Sequence, residues 1–261
     1  MGIYRDDGIV LRTQKLGEAD RIVTLLARRA GRVRAVAKGV RRTKSRFGAR
    51  LEPFTHVDLL LYTGRSLDVI TQADTVRPYG KPFASDYPRY TAGTAMLETA
   101  EKFTPVEKEP AMRQFLLLVG GLRALGEGVH DPRLVLDAYL LRSLAVAGFA
   151  PALDECAVCG TRVAVAPNPR QREASSVPEA QRYAAFSIGA GGLVCRDCRA
   201  PGAATPSAGT IALMSALMRG DWPHADGSDR GPRAECSGLV AAYLQWHLEH
   251  AIRSLRHVEH A

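Results

Sequence analysis

In RVRAVAKG, residues 32–39, Val33, Ala35 and Ala37 alternate with Arg32, Arg34 and Lys38. A period of two is the signature of a strand with one face buried and the other in water, and here the outer face is basic. A helix cannot sort these residues onto two faces, so the stretch commits this part of the chain to a sheet. Its neighbours read the same way. GIVLRT is followed by the turn-like QKLGEAD, RIVTLLA precedes RRAG, and THVDLLLYTGRSLDVITQADTV reads as a hairpin with Gly64 in its turn. Five strands in under 80 residues, with no long helix between them, predict a small closed barrel. The OB-fold is the five-stranded barrel that commonly grips single-stranded nucleic acid. An SH3-like barrel has the same appearance at this level.

Around PYGKPF the period changes. From Asp86 onward apolar residues recur at helical spacing in YPRYTAGTAMLETAEKF, AMRQFLLLVGGLRAL and DPRLVLDAYLLRSLAVAG. In the last of these Asp131 suits the N-cap, Pro132 the first turn and Gly148 the stop. Near the end, SGLVAAYLQWHLEHAIRSLRHV places Val240, Tyr243, His247, Ala251 and Leu255 on one face. The expectation is an α+β chain: a barrel over residues 1–80 and a helical domain over 81–261, the latter interrupted by a cysteine-bearing segment at about 153–200. PNPRQREASSVPEAQR, polar and proline-rich, reads as a loop.

Charge sharpens the division. Of 35 Lys and Arg and 27 Asp and Glu, residues 1–80 hold 16 and 8, so the whole net charge of +8 resides in the first third. Between Asp20 and Glu52 there is no acidic residue, while eleven Arg and Lys occur there. Such a one-signed stretch predicts a polyanion-binding module joined to a neutral body. The candidate phosphate-contacting residues are Arg32, Arg34, Lys38, Arg41, Arg42, Lys44, Arg46 and Arg50. Phe47, set among them, is placed either to stack on a base or to anchor the loop in the core, and the burial preference of Phe favours the anchor. No amphipathic helix accompanies the basic run, which disfavours a membrane as its partner.

Cys156-x-x-Cys159 and Cys195-x-x-Cys198 form a pair of knuckles. Two such knuckles bring four thiolates together at the distances of a tetrahedral Zn²⁺ site, with Zn–S about 2.3 Å. The spacer of 35 residues exceeds the usual ~15–20, and the polar loop within it accounts for the excess. FSIGAGGLVC reads as a hairpin returning to the metal. The alternatives are two disulfides or unrelated buried thiols. Four cysteine ligands leave no open coordination position, so the metal expected is one structural Zn²⁺. Cys236 reads as a small buried residue.

Other motifs fail on spacing. HLEH at 247–250 sets its histidines three apart where HExxH needs four. No GxxxxGK[ST] or GxSxG is present, and scattered carboxylates offer no paired nuclease site. The chain therefore reads as a binding protein with no catalytic residue. MGIYRDDGIVLRT lacks the apolar core of a signal peptide, Asp6 stands where myristoylation needs Ser or Thr, and no run of 18 apolar residues occurs. These features predict a cytosolic chain with reduced thiols.

GIVLRTQKLGEADRIVTLLARRAGRVRAVAKGVRR, with Ser and Phe inside KSRFGARLEPF, resembles the N-terminal domain of the RecO family of bacterial DNA repair proteins. CAVCG…FSIGAGGLVCRDC and YLQWHLEHAIRSLR are similar to its C-terminal domain, so the resemblance runs from about residue 3 to residue 256. Two features depart from the family pattern: the long insertion between the knuckles, and Arg199 where a glycine would follow the second. The resemblance implies an OB-fold followed by a helical domain with a zinc finger. It implies a recombination mediator that binds single- and double-stranded DNA and anneals complementary strands. It also implies that, with RecR, the chain promotes RecA loading onto strands coated by single-strand-binding protein, whose C-terminal tail would be a further partner. It implies a cytoplasmic, nucleoid-associated protein with no catalytic residues. The rival reading is an RNA-binding factor built from an OB-fold and a zinc ribbon.

Overall fold

The computed structural model describes residues 2–42, 45, 47–163 and 183–248. The first strand, β1 (Ile3–Leu16), is longer than GIVLRT alone suggests and runs to the turn at Gly17. It is followed by β2 (Asp20–Ala27), β3 (Gly31–Ala37), β4 (Thr55–Tyr62) and β5 (Asp68–Pro78). They close into a barrel in the order β1-β2-β3-β5-β4, antiparallel throughout except where β3 meets β5 in parallel at Ala35↔Asp68 and Val36↔Val69. This is the OB-fold, and the alternation that opened the sequence holds: Val33, Ala35 and Ala37 are buried while Arg32 and Arg34 are only partly so. Closure removes the free sheet edges that a five-stranded ribbon would otherwise present.

Between β3 and β4 a single 3-10 turn, Gly48–Leu51, carries Phe47 and Leu51 into the barrel core beside Val33, Val57 and Ile70. Phe47 is 1% exposed, so it anchors the basic loop rather than offering its ring to a base. Burying such a side chain contributes about 1.5–3 kcal/mol.

The chain divides into two compact units, one containing Met1–Pro132 and the other Arg133–Ala251. In the first, α1 (Tyr87–Phe103) starts at Asp86, whose carboxylate accepts from the Arg89 amide, and has Pro88 in its first turn. Its buried stripe, Ala92, Ala95, Met96 and Ala100, has helical spacing. α2 (Met112–Glu127) ends at the left-handed Gly128. The sequence grouped these helices with the later ones, but they cluster with the barrel.

The linkage is local and specific. Glu101 accepts two bonds from Arg12 Nε at 2.9 Å and lies 3.7 Å from Arg32. Glu107 pairs with Arg34 at 2.5 Å, and the Lys108 amide donates to the Arg32 carbonyl. Gly31, at φ +70°, permits the approach: a Cβ there would fall 1.7 Å from the Glu109 carbonyl oxygen.

The second unit holds α3 (Pro132–Val146), the hairpin β6 (Tyr183–Ser187) and β7 (Gly192–Cys195), then α4 (Ala208–Arg219), α5 (Trp222–Asp226) and α6 (Arg230–His247). The hairpin and α3 match the sequence reading. The helix pair α4 and α5 was not anticipated, and α6 begins seven residues before Ser237. Ser207 caps α4 by accepting from the Thr210 amide, and Arg142 of α3 donates twice to the Leu217 carbonyl near its other end. Cys236 is buried, and burial pushes its thiol pKa up. Val240 and Tyr243 are buried as expected, whereas His250, Ala251 and Leu255 lie outside the described residues.

Asp68 ties strand β5 to both β1 and the segment after α1. Its fully buried carboxylate accepts from Tyr4 Oη (2.6 Å), Lys108 Nζ (2.9 Å) and the Gly64 amide (3.0 Å). Burial alone would raise its pKa, but these donors outweigh burial and hold it below the usual carboxylate value. A depressed folded-state pKa adds stability above the ordinary carboxylate range, and that stability is lost as pH falls through the folded value. Asp68→Asn is therefore expected to lower unfolding free energy by about 2 kcal/mol at neutral pH. In denaturant melts at a series of pH values, the gap between wild type and variant should close as the solution is acidified.

Candidate nucleic-acid interface and metal centre

The basic loop is folded, not a free tether, over the part that is described. Past β3 the chain turns against the β1–β2 connection. The Gly39 amide donates to Asp20 Oδ1 at 2.7 Å, the Arg41 amide to the Ala19 carbonyl at 3.0 Å, and Arg41 Nη1 to the Glu18 carbonyl at 2.8 Å. The two backbone-amide bonds hold the chain and the third engages the Arg41 side chain, while Lys38, Arg41 and Arg42 all remain exposed. Among the described residues none of these three pairs with a carboxylate. Arg50 is exposed at the 3-10 turn, and Lys44 and Arg46 lie outside the described residues.

Arg32 and Arg34 are placed differently. Their side chains are the ones engaged by Glu101 and Glu107, and Arg32 is only 15% exposed. Arg21 and Arg29 are likewise matched, with Glu52 at 2.7 Å and Asp6 at 3.5 Å. The sequence grouped all eight cations as one surface. The structure sets Lys38, Arg41 and Arg42 apart from the β3 pair, because acids some 70 positions away neutralise the strand. The stretch ETAEKFTPVEKE carries those acids, but nothing local assigns them to β3.

The four cysteines converge. Cys156, Cys159, Cys195 and Cys198 place their sulfurs all within 4.8 Å of one another, and Cys159 Sγ lies 3.8 Å from Cys195 Sγ. A tetrahedron of sulfurs about 2.3 Å from a central ion has edges of about 3.8 Å, so the donor set fits a tetrahedral thiolate site. None of the four is in a disulfide. The first knuckle closes through Gly160, at φ +70°, whose amide donates to the Cys156 carbonyl, while the Cys156 amide donates to the Thr161 carbonyl. The second rides on the end of β7, with the Cys198 amide donating to the Cys195 carbonyl. Arg199 needs no left-handed backbone there.

The site favours a cation electrostatically. Burial would raise the Cys156 pKa, but amides of Cys159, Cys195 and Val158 pointing at its sulfur bring it down to about 6. Cys198, crowded by its neighbours' sulfurs, is pushed up to about 12. Four thiolates so close repel unless a positive charge sits among them. Cys156 and Cys195 are buried and Cys159 exposed, so the cluster is anchored on one side and open to solvent on the other.

Residues 1–79 match the family model described as Recombination protein O N terminal, and residues 84–256 match Recombination protein O C terminal. The chain belongs to the RecO family. Among curated relatives, the DNA repair protein RecO of Thermobifida fusca is 65% identical over 261 residues, covering all of both chains. That of Streptomyces griseus is 57% identical over 265 residues, covering 99% of this chain and all of the relative. That of Frankia casuarinae is 56% identical over 261 residues, covering all of both. In RecO terms, the N-terminal match takes in the whole barrel, and the C-terminal match takes in the six helices of the described residues and the four cysteines.

The metal centre makes a direct prediction. Protein purified without chelator should carry one metal ion per chain by elemental mass spectrometry. Cys195→Ser should lose that ion and lower the melting temperature, because metal binding at such sites is coupled to folding. Unchanged metal content in the variant would rule out the cysteine cluster as the site.

Proposed function

We propose that this chain is a DNA repair and recombination mediator. In this reading it binds single- and double-stranded DNA through its barrel, anneals complementary strands, and with RecR promotes RecA loading onto strands coated by single-strand-binding protein. The observation that carries the reading is the cluster of Lys38, Arg41 and Arg42 on an OB-fold, held by backbone bonds and without carboxylate partners among the described residues, in a chain of the RecO family. Lys44, Arg46 and Arg50 extend the same run in sequence. Residues 1–80 act as the DNA-binding module. No helix among the described residues is long and apolar enough to cross a membrane. A cytoplasmic, nucleoid-associated location and contact with the C-terminal tail of single-strand-binding protein belong to the same proposal.

The mechanism follows from electrostatics. Two complementary strands repel through their phosphates, and cations held on a rigid turn reduce that repulsion when both strands approach. Holding strands by the backbone leaves base edges available for each other. No residue is assigned a catalytic role. The metal is read as one structural Zn²⁺ held by Cys156, Cys159, Cys195 and Cys198; it would fix the β6–β7 hairpin to the first knuckle and supply no reaction step.

The test is a fluorescence annealing assay on complementary oligonucleotides over a salt series, comparing wild type with Lys38→Ala/Arg41→Ala/Arg42→Ala. Wild type is expected to accelerate annealing, and the triple variant to lose most of the acceleration while remaining folded. Its slope of log binding constant against log salt on single-stranded DNA should fall by about 2, at about 0.7 per phosphate contact. Failure of the wild type to anneal DNA, with tighter binding of RNA, would favour the RNA-binding alternative instead.

A further inference from the structure

A surface pocket of about 480 Å³ opens on the barrel beside the 3-10 turn, within the ~300–1,000 Å³ range of ligand sites. Ser45 and Arg50 line it from the β3–β4 connection, Thr55 from the first position of β4, and Thr75 and Lys81 from the end of β5 and the turn beyond; Phe47 supports it from the core. None of its lining residues is acidic. Two cationic and three hydroxyl-bearing residues are among those that line this hollow, and such side chains supply the donor chemistry that suits a phosphodiester. OB-folds usually present strands 2 and 3 with the β1–β2 and β4–β5 loops to nucleic acid. This pocket uses none of those elements.

The local backbone explains why the hollow exists. Thr55 pairs with Pro78 across β4 and β5, so the ladder ends there and the two strands part. Phe54, just before it, adopts φ +67°, a conformation bulky residues rarely hold. It is kept there by Phe83 (ring centroids 5.3 Å apart) and Tyr90 (5.7 Å). The strained corner turns the chain sharply into β4 and leaves Thr55 facing the pocket.

We infer that this pocket is a second nucleic-acid contact on the barrel, seating one backbone phosphate of a DNA strand between Arg50 and Lys81, with Ser45, Thr55 and Thr75 as hydroxyl donors. This rests on the proposed DNA-binding function and adds to it a site that the basic run alone does not identify, since Lys81 stands isolated in GKPF, well beyond that run. A barrel that grips a strand at the Lys38–Arg42 turn and again at this pocket holds more than one phosphate in a fixed register.

The test uses the full-length chain and a fluorescein-labelled oligo(dT), with anisotropy over a salt series and photo-crosslinking through 4-thiothymidine mapped by mass spectrometry. Arg50→Ala/Lys81→Ala alters exposed side chains, and its thermal melt is compared with wild type to confirm folding. Crosslinks in wild type to peptides containing residues 45–50 or 75–81, together with a salt slope about 0.7 smaller in the double variant, as for one lost phosphate contact, are expected. Wild-type binding with an unchanged slope in the double variant and no crosslinks to these peptides overturns the pocket while leaving the DNA-binding reading intact. No oligonucleotide binding by wild type overturns both. Thr75→Val, which keeps the shape and removes a hydroxyl, gives an independent check: weaker binding with an unchanged salt slope supports a hydroxyl contact to phosphate, and unchanged affinity counts against that contact.

Discussion

Glu101 and Glu107 decide where this protein's positive charge can act. They lie at the end of α1 and just past it, and reach Arg12, Arg32 and Arg34 on the barrel. Two cations of the alternating strand, Arg32 and Arg34, and Arg12 of β1 are thereby matched. Exposed ion pairs contribute little, about 0–1 kcal/mol each, but Arg32 is mostly buried and removal of its acid would strand a charge. The same contacts, with the Lys108 bonds to Asp68 and to the Arg32 carbonyl, fasten the helical segment to the barrel. Charge neutralisation and docking are one set of interactions. Their consequence is that the basic strand face is matched by acids, whereas Lys38, Arg41 and Arg42 on the turn after β3 have no carboxylate partner among the described residues.

The cysteine cluster solves a separate problem with a similar economy of parts. The stretch from 164 to 182 separates the knuckles in sequence, but the geometry depends on the β6–β7 register, which ends with Cys195 opposite Tyr183. The Ala157 amide donates to the Leu193 carbonyl and the Leu193 amide to the Ala152 carbonyl, so the first knuckle is laced directly to β7. An insertion between two such elements changes loop entropy only slowly with its length. That is why a spacer well beyond the usual zinc-ribbon range is compatible with sulfurs within bonding reach of one ion.

Much of this was legible in the sequence, for identifiable reasons. Period-two alternation is a local signal, and β3 kept it residue for residue. The CxxC pairs are local motifs whose partner is another copy of the motif, so their meeting could be anticipated. Phe47 is buried, as the strong burial preference of a large ring in a polar loop predicts. What failed to show was non-local. The acids that pair with Arg32 and Arg34 lie about 70 residues downstream, where no local signal joins them to β3. α4 carries local signals, with Ser207 as cap, Ile211 and Met214 in a stripe and Gly220 as stop, but it is short and lies between the cysteine segment and a Gly- and Asp-rich stretch. The helices α1 and α2 fall within the C-terminal family match, and the ion pairs that also tie α1 to the barrel come from acids no local signal assigns.

The aromatic content of the barrel bears on how it would hold a strand. Phe47, Phe54 and Tyr79 are buried, and Tyr4 is committed to Asp68, which leaves Tyr62 as the substantially exposed ring of the first 80 residues. Proteins that bind single strands by stacking need several such rings, each contributing about 1–3 kcal/mol per base. This barrel lacks that platform and has cations and hydroxyls instead. Binding through phosphates is tolerant of sequence and steeply dependent on salt. It also leaves the bases unstacked against protein and free to find partners. A protein that occupied the bases would compete with a complementary strand. One that holds only the backbone does not, so the poverty of exposed aromatic rings on this barrel fits the proposed role of bringing two strands together.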